Sequence, residues 1–234
     1  MNSRIIPKVY MAGPEVFLKN ADEIKEAKRK IAQNAGISPL FPLDNVVRDL
    51  FSRKDLTEEK KGLIVYRANE LLMQKANGTI PNITPWQGPH MDVGTAFEVG
   101  YTKALGKPIE AYTNSPLPFV ARQRLNFRNQ DISINTDTFG VERDAKEGIM
   151  LENFGPTVSE NIMIDGSTKL SGGMVSRAKN FKEKVLSGVD LYKSLEQFKK
   201  AADRMAEGFT KGTYAAKAQK EENALKPFLT ELDL

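Results

Sequence analysis

Short apolar runs ending on glycine or proline alternate with helix-length segments through the first half of this chain, and that rhythm leaves few folds open. A run over 8–12 meets Gly13-Pro14 and is followed by a Lys/Glu-rich helical segment, 20–35, closed by Gly36. A second run, 37–41, leads into a stretch that reads as irregular as far as Arg53. The next helix covers about 57–76, opened by Thr57-x-x-Lys60 and carrying Leu63, Tyr66, Leu71 and Met73. A weak strand over 79–83 is interrupted by Pro81, which has no N–H to give a ladder. A Trp86-Gln-Gly-Pro-His-Met-Asp92 loop, a helix over 95–105 and a strand over 108–112 complete the series. Strands separated by helices at crossover length predict an α/β fold, a parallel sheet covered by helices on both faces.

One window carries most of the chemistry: Asp92-Val-Gly-Thr-Ala-Phe-Glu98-Val-Gly-Tyr-Thr-Lys-Ala-Leu-Gly106-Lys-Pro108. Thr95 reads as an N-cap, apolar residues recur at helical spacing, and Gly106 with Pro108 is a stop signal. Glu98 then stands in the first turn, where free N–H groups and the macrodipole favour an anion. Two readings stay open. Thr95-x-x-Glu98 is a capping box, in which the glutamate merely returns to the N-cap N–H. It is also the layout of a carboxylate nucleophile with a second carboxylate, Asp92, just outside the helix. Convergence favours the nucleophile: Tyr10 to Pro14, Asp44 and the loop before Asp92 all fall at strand carboxyl ends, where parallel sheets bind ligands.

Three segments, Tyr10-x-Ala12-Gly13-Pro14, Phe41-Pro42-Leu43-Asp44-Asn45 and Asp92-x-Gly-Thr-Ala-Phe-Glu98-x-Gly-Tyr101, resemble in order and spacing the motifs of the nucleoside 2-deoxyribosyltransferase family, over about residues 8–115. The resemblance implies a flavodoxin-like, doubly wound parallel sheet. It also implies a pentosyltransferase that exchanges the bases of 2′-deoxynucleosides and needs no metal or organic cofactor. On this resemblance Glu98 is the nucleophile, Tyr10 orients it, Asp92 lies beside the sugar, and Gly13 and Asp44 belong to the substrate site. A retaining mechanism follows, with a covalent 2-deoxyribosyl-glutamate intermediate and two inversions. A close apolar contact from Phe17 or Met11 near the sugar's second carbon would exclude ribose. Asn161, in Asn161-Ile-Met-Ile-Asp165-Gly166, resembles the asparagine that reaches the sugar 5′ hydroxyl from a neighbouring subunit, which implies a homodimer or higher homo-oligomer. The chain departs from the pattern at Asn69 and Asn77, where members carry aspartates contacting the base and opening a strand. An amide donates and accepts but is no acid, so base protonation passes to Asp92 or a water.

Composition narrows the alternatives. With no cysteine, a thiol nucleophile, a disulfide framework and a Cys-based zinc site are excluded; the single histidine, His90, excludes multi-His metal sites and reads as a loop residue near the site mouth. The N-terminus is too short and polar for a signal sequence and no run reaches membrane-spanning length, so a cytoplasmic location is expected. The +4 net charge is a mild excess concentrated over 177–226, with 12 Lys/Arg against 7 Asp/Glu. It lies on amphipathic patterns such as Leu191, Leu195, Phe198, Ala202 and Met205, which read as a solvated helix face rather than a nucleic-acid footprint. The expected organisation is one α/β domain over 1–176, with 116–160 as a polar, arginine-bearing insertion read as a solvated loop, and a helical extension over 177–234 packed on that domain. The runner-up activity is an N-glycosidase on the same scaffold; Ser38 and Ser52 are poor holders of a 5′ phosphate, which favours nucleosides over nucleotides. The third reading is a non-catalytic nucleotide-binding module.

Overall fold

The computed structural model of the chain describes residues 6–42, 47–179 and 189–232. In order these form β1 (Lys8–Tyr10), α1 (Ala21–Asn34), β2 (Ser38–Leu40), α2 (Val47–Ser52), α3 (Glu58–Lys75), β3 (Gly78–Thr79), α4 (Val93–Ala104) and β4 (Ala111–Thr113). Then come α5 (Phe119–Asn129), a hairpin of β5 (Ile134–Thr136) and β6 (Glu142–Asp144), α6 (Ile162–Leu170), β7 (Val175–Arg177), α7 (Glu196–Lys211) and α8 (Tyr214–Glu231).

β1 pairs in parallel with β2 on one side and β3 on the other, and β4 pairs in parallel with β7. Parallel bridges Thr79↔Ile109 and Asn82↔Tyr112 join the two parts, so the order across the sheet is β2-β1-β3-β4-β7. The weak strand continues beyond β3. Ile80 and Asn82 donate to Tyr10 and Ala12, both at 2.9 Å, and Ile83 donates to Tyr112 at 2.8 Å. Pro81 faces β4, where its carbonyl accepts from Tyr112 N at 3.1 Å and its missing N–H breaks the regular pattern. The chain turns to one side of β1 for β2 and to the other for β3, which makes the carboxyl ends of β1 and β3 a topological switch point.

Side chains alternate between the two faces. Val9, Met11 and Ile80 pack with Ala32 of α1 and with Phe198, Ala202 and Met205 of α7. Tyr10 and Ala12 point the other way, onto Met73 and Ala76 at the end of α3 and Tyr101 of α4. The apolar stripe read in the C-terminal segment is therefore core: Leu191, Phe198, Ala202 and Met205 are fully buried. Gly212, in the left-handed region at φ 62°, caps α7 and lets α8 turn back. Among the described residues no helix is long and apolar enough to cross a membrane.

Three expectations are corrected. α4 starts at Val93 with Asp92 as its N-cap, not at Thr95. The stretch read as irregular before Arg53 contains α2. Residues 116–160, read as a solvated loop, contain α5 and the β5–β6 hairpin, and Arg122 is fully buried. Composition misled there, because one buried arginine among exposed ones does not change the polarity of the segment.

A buried ion pair sits between the sheet and the helices. After Gly13-Pro14, a turn of 3₁₀ helix buries Glu15, whose Oε1 accepts from Lys28 Nζ, from Asn82 Nδ2 at 2.6 Å and from Tyr112 OH at 2.9 Å. Lys28 also lies over the Tyr112 and Phe198 rings, 5.3 and 5.1 Å from their centroids. Burial pushes the Glu15 carboxyl up, but the Lys28 charge and the hydrogen bonds from Lys28 and Asn82 outweigh it and hold the group below 4.5. Gly13 is required beside it, since a Cβ there would stand 2.0 Å from Glu15 Oε2 and 3.0 Å from Asn82 Cβ. Lys28→Met strands a buried carboxylate and is expected to cost about 3–5 kcal/mol in urea unfolding at pH 7. Because the Glu15 carboxyl is depressed in the fold, its contribution is present above 4.5 and is lost as pH falls further. The Lys28→Met deficit should therefore shrink in acid; a constant deficit from pH 7 to 3 would show that the charge is not what matters.

Candidate active site

The turn before α4 is built from one short-range hydrogen bond and one anchor from the far end of the chain. Trp86 N donates to the His90 carbonyl at 2.9 Å, and Tyr192 OH donates to the carbonyls of Thr84 and Pro85 at 2.9 and 3.0 Å. Asp92 then caps the helix, its Oδ2 accepting from Thr95 N at 2.8 Å and from Thr95 Oγ1 at 2.9 Å. Aspartate caps at least as well as threonine, and its two hydrogen bonds to Thr95 start the helix early despite the weak helix formers Val93 and Gly94. Glu98 consequently moves into the second turn, and the Thr95–Glu98 capping box does not form.

Glu98 meets Tyr10 instead. The Tyr10 hydroxyl, carried to the carboxyl end of β1, donates to Glu98 Oε1 at 2.5 Å across a separation of 88 residues. Glu98 is half-buried, and loss of water pushes its carboxyl up to about 7. The Tyr10 hydrogen bond opposes that rise, while the nearby charges of Asp92 and Glu15 add to it. The expectation that a helix mouth keeps Glu98 ionised is corrected: one turn further in, desolvation decides. Tyr10 is held protonated, pushed far up by burial and by the neighbouring Glu98 charge, so it acts as a donor. A carboxyl near neutrality, a fixed phenol and a second carboxylate at the helix cap make a site suited to nucleophilic or acid–base work.

A second buried pair holds this loop and was not legible in the sequence. Arg122 of α5 donates through Nε to the Pro89 carbonyl at 2.8 Å, through Nη1 to the carbonyls of Ser159 and Leu117, and through Nη2 to Glu160 Oε2 at 2.5 Å. Glu160 Oε2 also accepts from Met91 N at 3.2 Å, next to Asp92. The segment 116–160 thus clamps the loop that presents the cap. A signal existed, in that Arg122 follows Phe119 and Val120 on the apolar side of a helical run, but Arg124 and Arg128 nearby look alike in sequence.

The other expected site residues separate. Phe17 is 71% exposed, with its ring 6.2 Å from that of Trp86. Met11 is buried on the α1/α7 face, so it is not available as an apolar contact to a ligand beside Tyr10. Asp44 lies outside the described residues. Asn69 stands on α3 one turn before Met73, with Oδ1 buried and without a partner among the described residues. Asn77 is at the opposite end of the sheet, where its Oδ1 accepts from Lys8 N at 2.9 Å. Asn161 caps α6, accepting from Met163 N at 3.0 Å and donating to Glu152 Oε2 at 2.5 Å, so within its own chain both ends of the amide are engaged. His90 is largely exposed, edge-on to Phe119 with centroids 5.0 Å apart. Among the described residues no group of three His, Asp or Glu is placed to hold a metal ion.

The sequence model of a family described as nucleoside 2-deoxyribosyltransferase matches residues 9–163, more than half of the chain. An uncharacterized protein of Schizosaccharomyces pombe is 29% identical over 182 residues, covering 73% of this chain and 81% of that protein. A 2-deoxyribosyltransferase from Leishmania mexicana is 24% identical over 68% of this chain and 85% of its own, with a TM-score of 0.49. A conserved protein from Enterococcus faecalis is 20% identical over 75% of this chain and 93% of its own, with a TM-score of 0.43.

Replacing Glu98 separates the buried-carboxyl geometry from a capping role. A group whose folded pKa is raised, here from 4.5 to about 7, contributes fully below 4.5 and loses that contribution as pH rises through 7. Glu98→Gln keeps an acceptor for Tyr10 and removes the ionisation. It should match the parent near pH 4 and exceed it at pH 9 by up to ~3 kcal/mol in urea unfolding. A variant less stable than the parent at every pH would contradict the buried carboxyl.

Proposed function

The chain belongs to the nucleoside 2-deoxyribosyltransferase family, and from that premise we propose that it exchanges the base of 2′-deoxynucleosides through a covalent intermediate on Glu98. The observation that carries this reading is the Tyr10–Glu98 hydrogen bond, which engages Oε1 and holds the carboxylate at the carboxyl end of β1, with Oε2 as the proposed attacking oxygen. Breaking an N-glycosidic bond builds positive charge on the anomeric carbon, and an anion below the ring stabilises it. The ionised Glu98 attacks that carbon, the carbon–nitrogen bond breaks, and its electron pair leaves with the base. The departing base takes a proton from a water, leaving hydroxide beside the cleft. A nitrogen of the incoming base then displaces the glutamate ester from the original face and gives its proton to that hydroxide, giving net retention. Asp92 keeps Oδ1 clear of the Thr95 cap, and that oxygen is the one turned to substrate. We assign the base edge to Asn69 and the outer wall to Phe17, whose exposed ring against the half-buried Trp86 offers a stacking surface.

One observation favours hydrolysis as a second reading. Phe17 is 71% exposed and Glu98 half-buried in the single chain, so water has access to an ester formed there. Incubation with 2′-deoxyinosine, with and without free adenine, tells the two apart: transfer yields 2′-deoxyadenosine, hydrolysis yields free deoxyribose in either case. With donor alone, intact-protein mass spectrometry should find one 2-deoxyribosyl group on a peptide containing Glu98. Glu98→Gln should lower exchange by about three orders of magnitude or more. Because the nucleophile must be ionised, kcat/KM should rise with pH to a plateau above about 7, the value to which burial pushes the group. Ternary-complex kinetics with no adduct would end the covalent reading.

Water exclusion also bears on assembly. Val93, Phe97, Tyr66 and Leu63, 85%, 48%, 49% and 59% exposed, form an apolar surface of α3 and α4 beside the cleft, and it supports a homodimer or higher homo-oligomer. Light scattering should then read a multiple of 26.1 kDa, and Phe97→Asp should reduce it to one chain with loss of transfer relative to hydrolysis. Full transfer by a monomeric parent would end the oligomer reading.

A further inference from the structure

A cavity of about 1090 Å³ opens along β7, between α6 and α8, and none of Tyr10, Asp92 and Glu98 lines it. Cations reach it from separate elements: Lys169 from α6, Arg177 from β7, Lys179 just beyond, and Lys217 and Lys220 from α8. Its carboxylates are already engaged, one of them with a lysine of the same lining. Glu110 takes Arg204 Nε at 2.8 Å, Asp165 takes the N–H groups of Ser159 and Glu160 at 3.0 and 2.8 Å, and Glu221 pairs with Lys169 at 3.0 Å. Arg177, Lys179 and Lys220 are left without a carboxylate partner among the described residues, while Lys217 has the Glu207 charge nearby. Lys217 also lies 5.8 Å over the Tyr214 ring.

Two buried donors in the lining point to a ligand. Arg177 Nη2 donates to the Pro156 carbonyl at 2.8 Å, but its Nη1 is buried with no acceptor among the described residues. Thr168, fully buried on α6, has an Oγ1 with no partner either. Proteins seldom seal a guanidinium N–H from water without an acceptor, because the lost hydration is not returned. The guanidinium fork fits phosphate geometry, and three uncompensated cations, Arg177, Lys179 and Lys220, match a doubly charged group better than a single carboxylate. The lining also carries the apolar residues Pro116, Val158, Ile162 and Val175, and the volume is that of an organic ligand rather than a bare ion.

We propose that this groove binds a phosphate-bearing small molecule, with the phosphate on Arg177 and the surrounding lysines and the apolar body along Val158 and Ile162. The site is separate from the cleft around Glu98 and does not depend on the reaction assigned to it.

The test is calorimetry on the full-length Glu98→Gln protein, which keeps added nucleosides from turning over. Inorganic phosphate, 2′-deoxyadenosine and its 5′-monophosphate are titrated separately. The monophosphate should bind at least tenfold more tightly than inorganic phosphate, and saturating 2′-deoxyadenosine should not displace it. Arg177→Gln should weaken the monophosphate at least tenfold and leave the nucleoside unchanged. Should Arg177→Gln fail to fold, the exposed pair Lys179→Gln/Lys220→Gln should still weaken the monophosphate about threefold and flatten its salt dependence. Unchanged monophosphate binding in these variants, or its displacement by 2′-deoxyadenosine, would overturn the proposal. Equal affinity for inorganic phosphate would overturn the part of it that assigns an organic body.

Discussion

The buried Glu15–Lys28 pair is the interaction on which the rest of this structure depends. Lys28 comes from α1, Glu15 from the turn after β1, Asn82 from the end of the third strand, Tyr112 from β4 and the overlying Phe198 ring from α7. One charge pair thus aligns the α1/α7 layer with the sheet at the carboxyl end of β1. Such a pair contributes little net stability over a well-packed apolar alternative, yet it is costly to break on one side. Its value is specificity of position. The same carboxylate is close enough to Glu98 to help push that group up, so the alignment and the electrostatics of the cleft share an origin.

The switch point between β1 and β3 does the remaining work of assembly. β1 carries Tyr10 to its carboxyl end, the third strand delivers the loop to Asp92, and α4 returns Glu98 to Tyr10. Asp92 serves as helix cap through one oxygen, which fixes where α4 begins and therefore where Glu98 ends up. The Arg122–Glu160 pair holds the other side of the same loop. Cap, phenol and clamp together leave the cleft little freedom, which is the preorganisation a reaction through a charged transition state requires.

Much of the fold was legible because its signals are local. Glycine and proline punctuation, apolar runs of strand length and amphipathic spacing located the sheet and its helices, including the helix now seen as α3, with Thr57 capping it through Lys60 N at 3.3 Å. What was misread turned on competition between neighbours or on contacts across the chain. Asp92 and Thr95 are both good caps, and only the folded loop chooses between them. Arg122 differs from Arg124 in what lies above it, and Met11 from Phe17 in which face of the sheet it meets. Asn77 opens a strand as its position suggested, but at the end away from the cleft.

By itself the sequence determined the parallel α/β architecture, the family, and the trio Tyr10, Asp92 and Glu98 as the residues worth bringing together. These follow from short-range spacing and from motifs, which survive without knowledge of the fold. Only the tertiary structure decided that Glu98 stands in the second turn rather than the first, where burial pushes its carboxyl up to about 7, with Tyr10 as its partner. It alone brought Arg122 onto Glu160, Lys28 onto Glu15, and five basic side chains to one groove beside β7. The physical reason is the same in each case: desolvation and charge pairing depend on what surrounds a group in space, and residues 13, 38 or 88 positions away supply that surrounding.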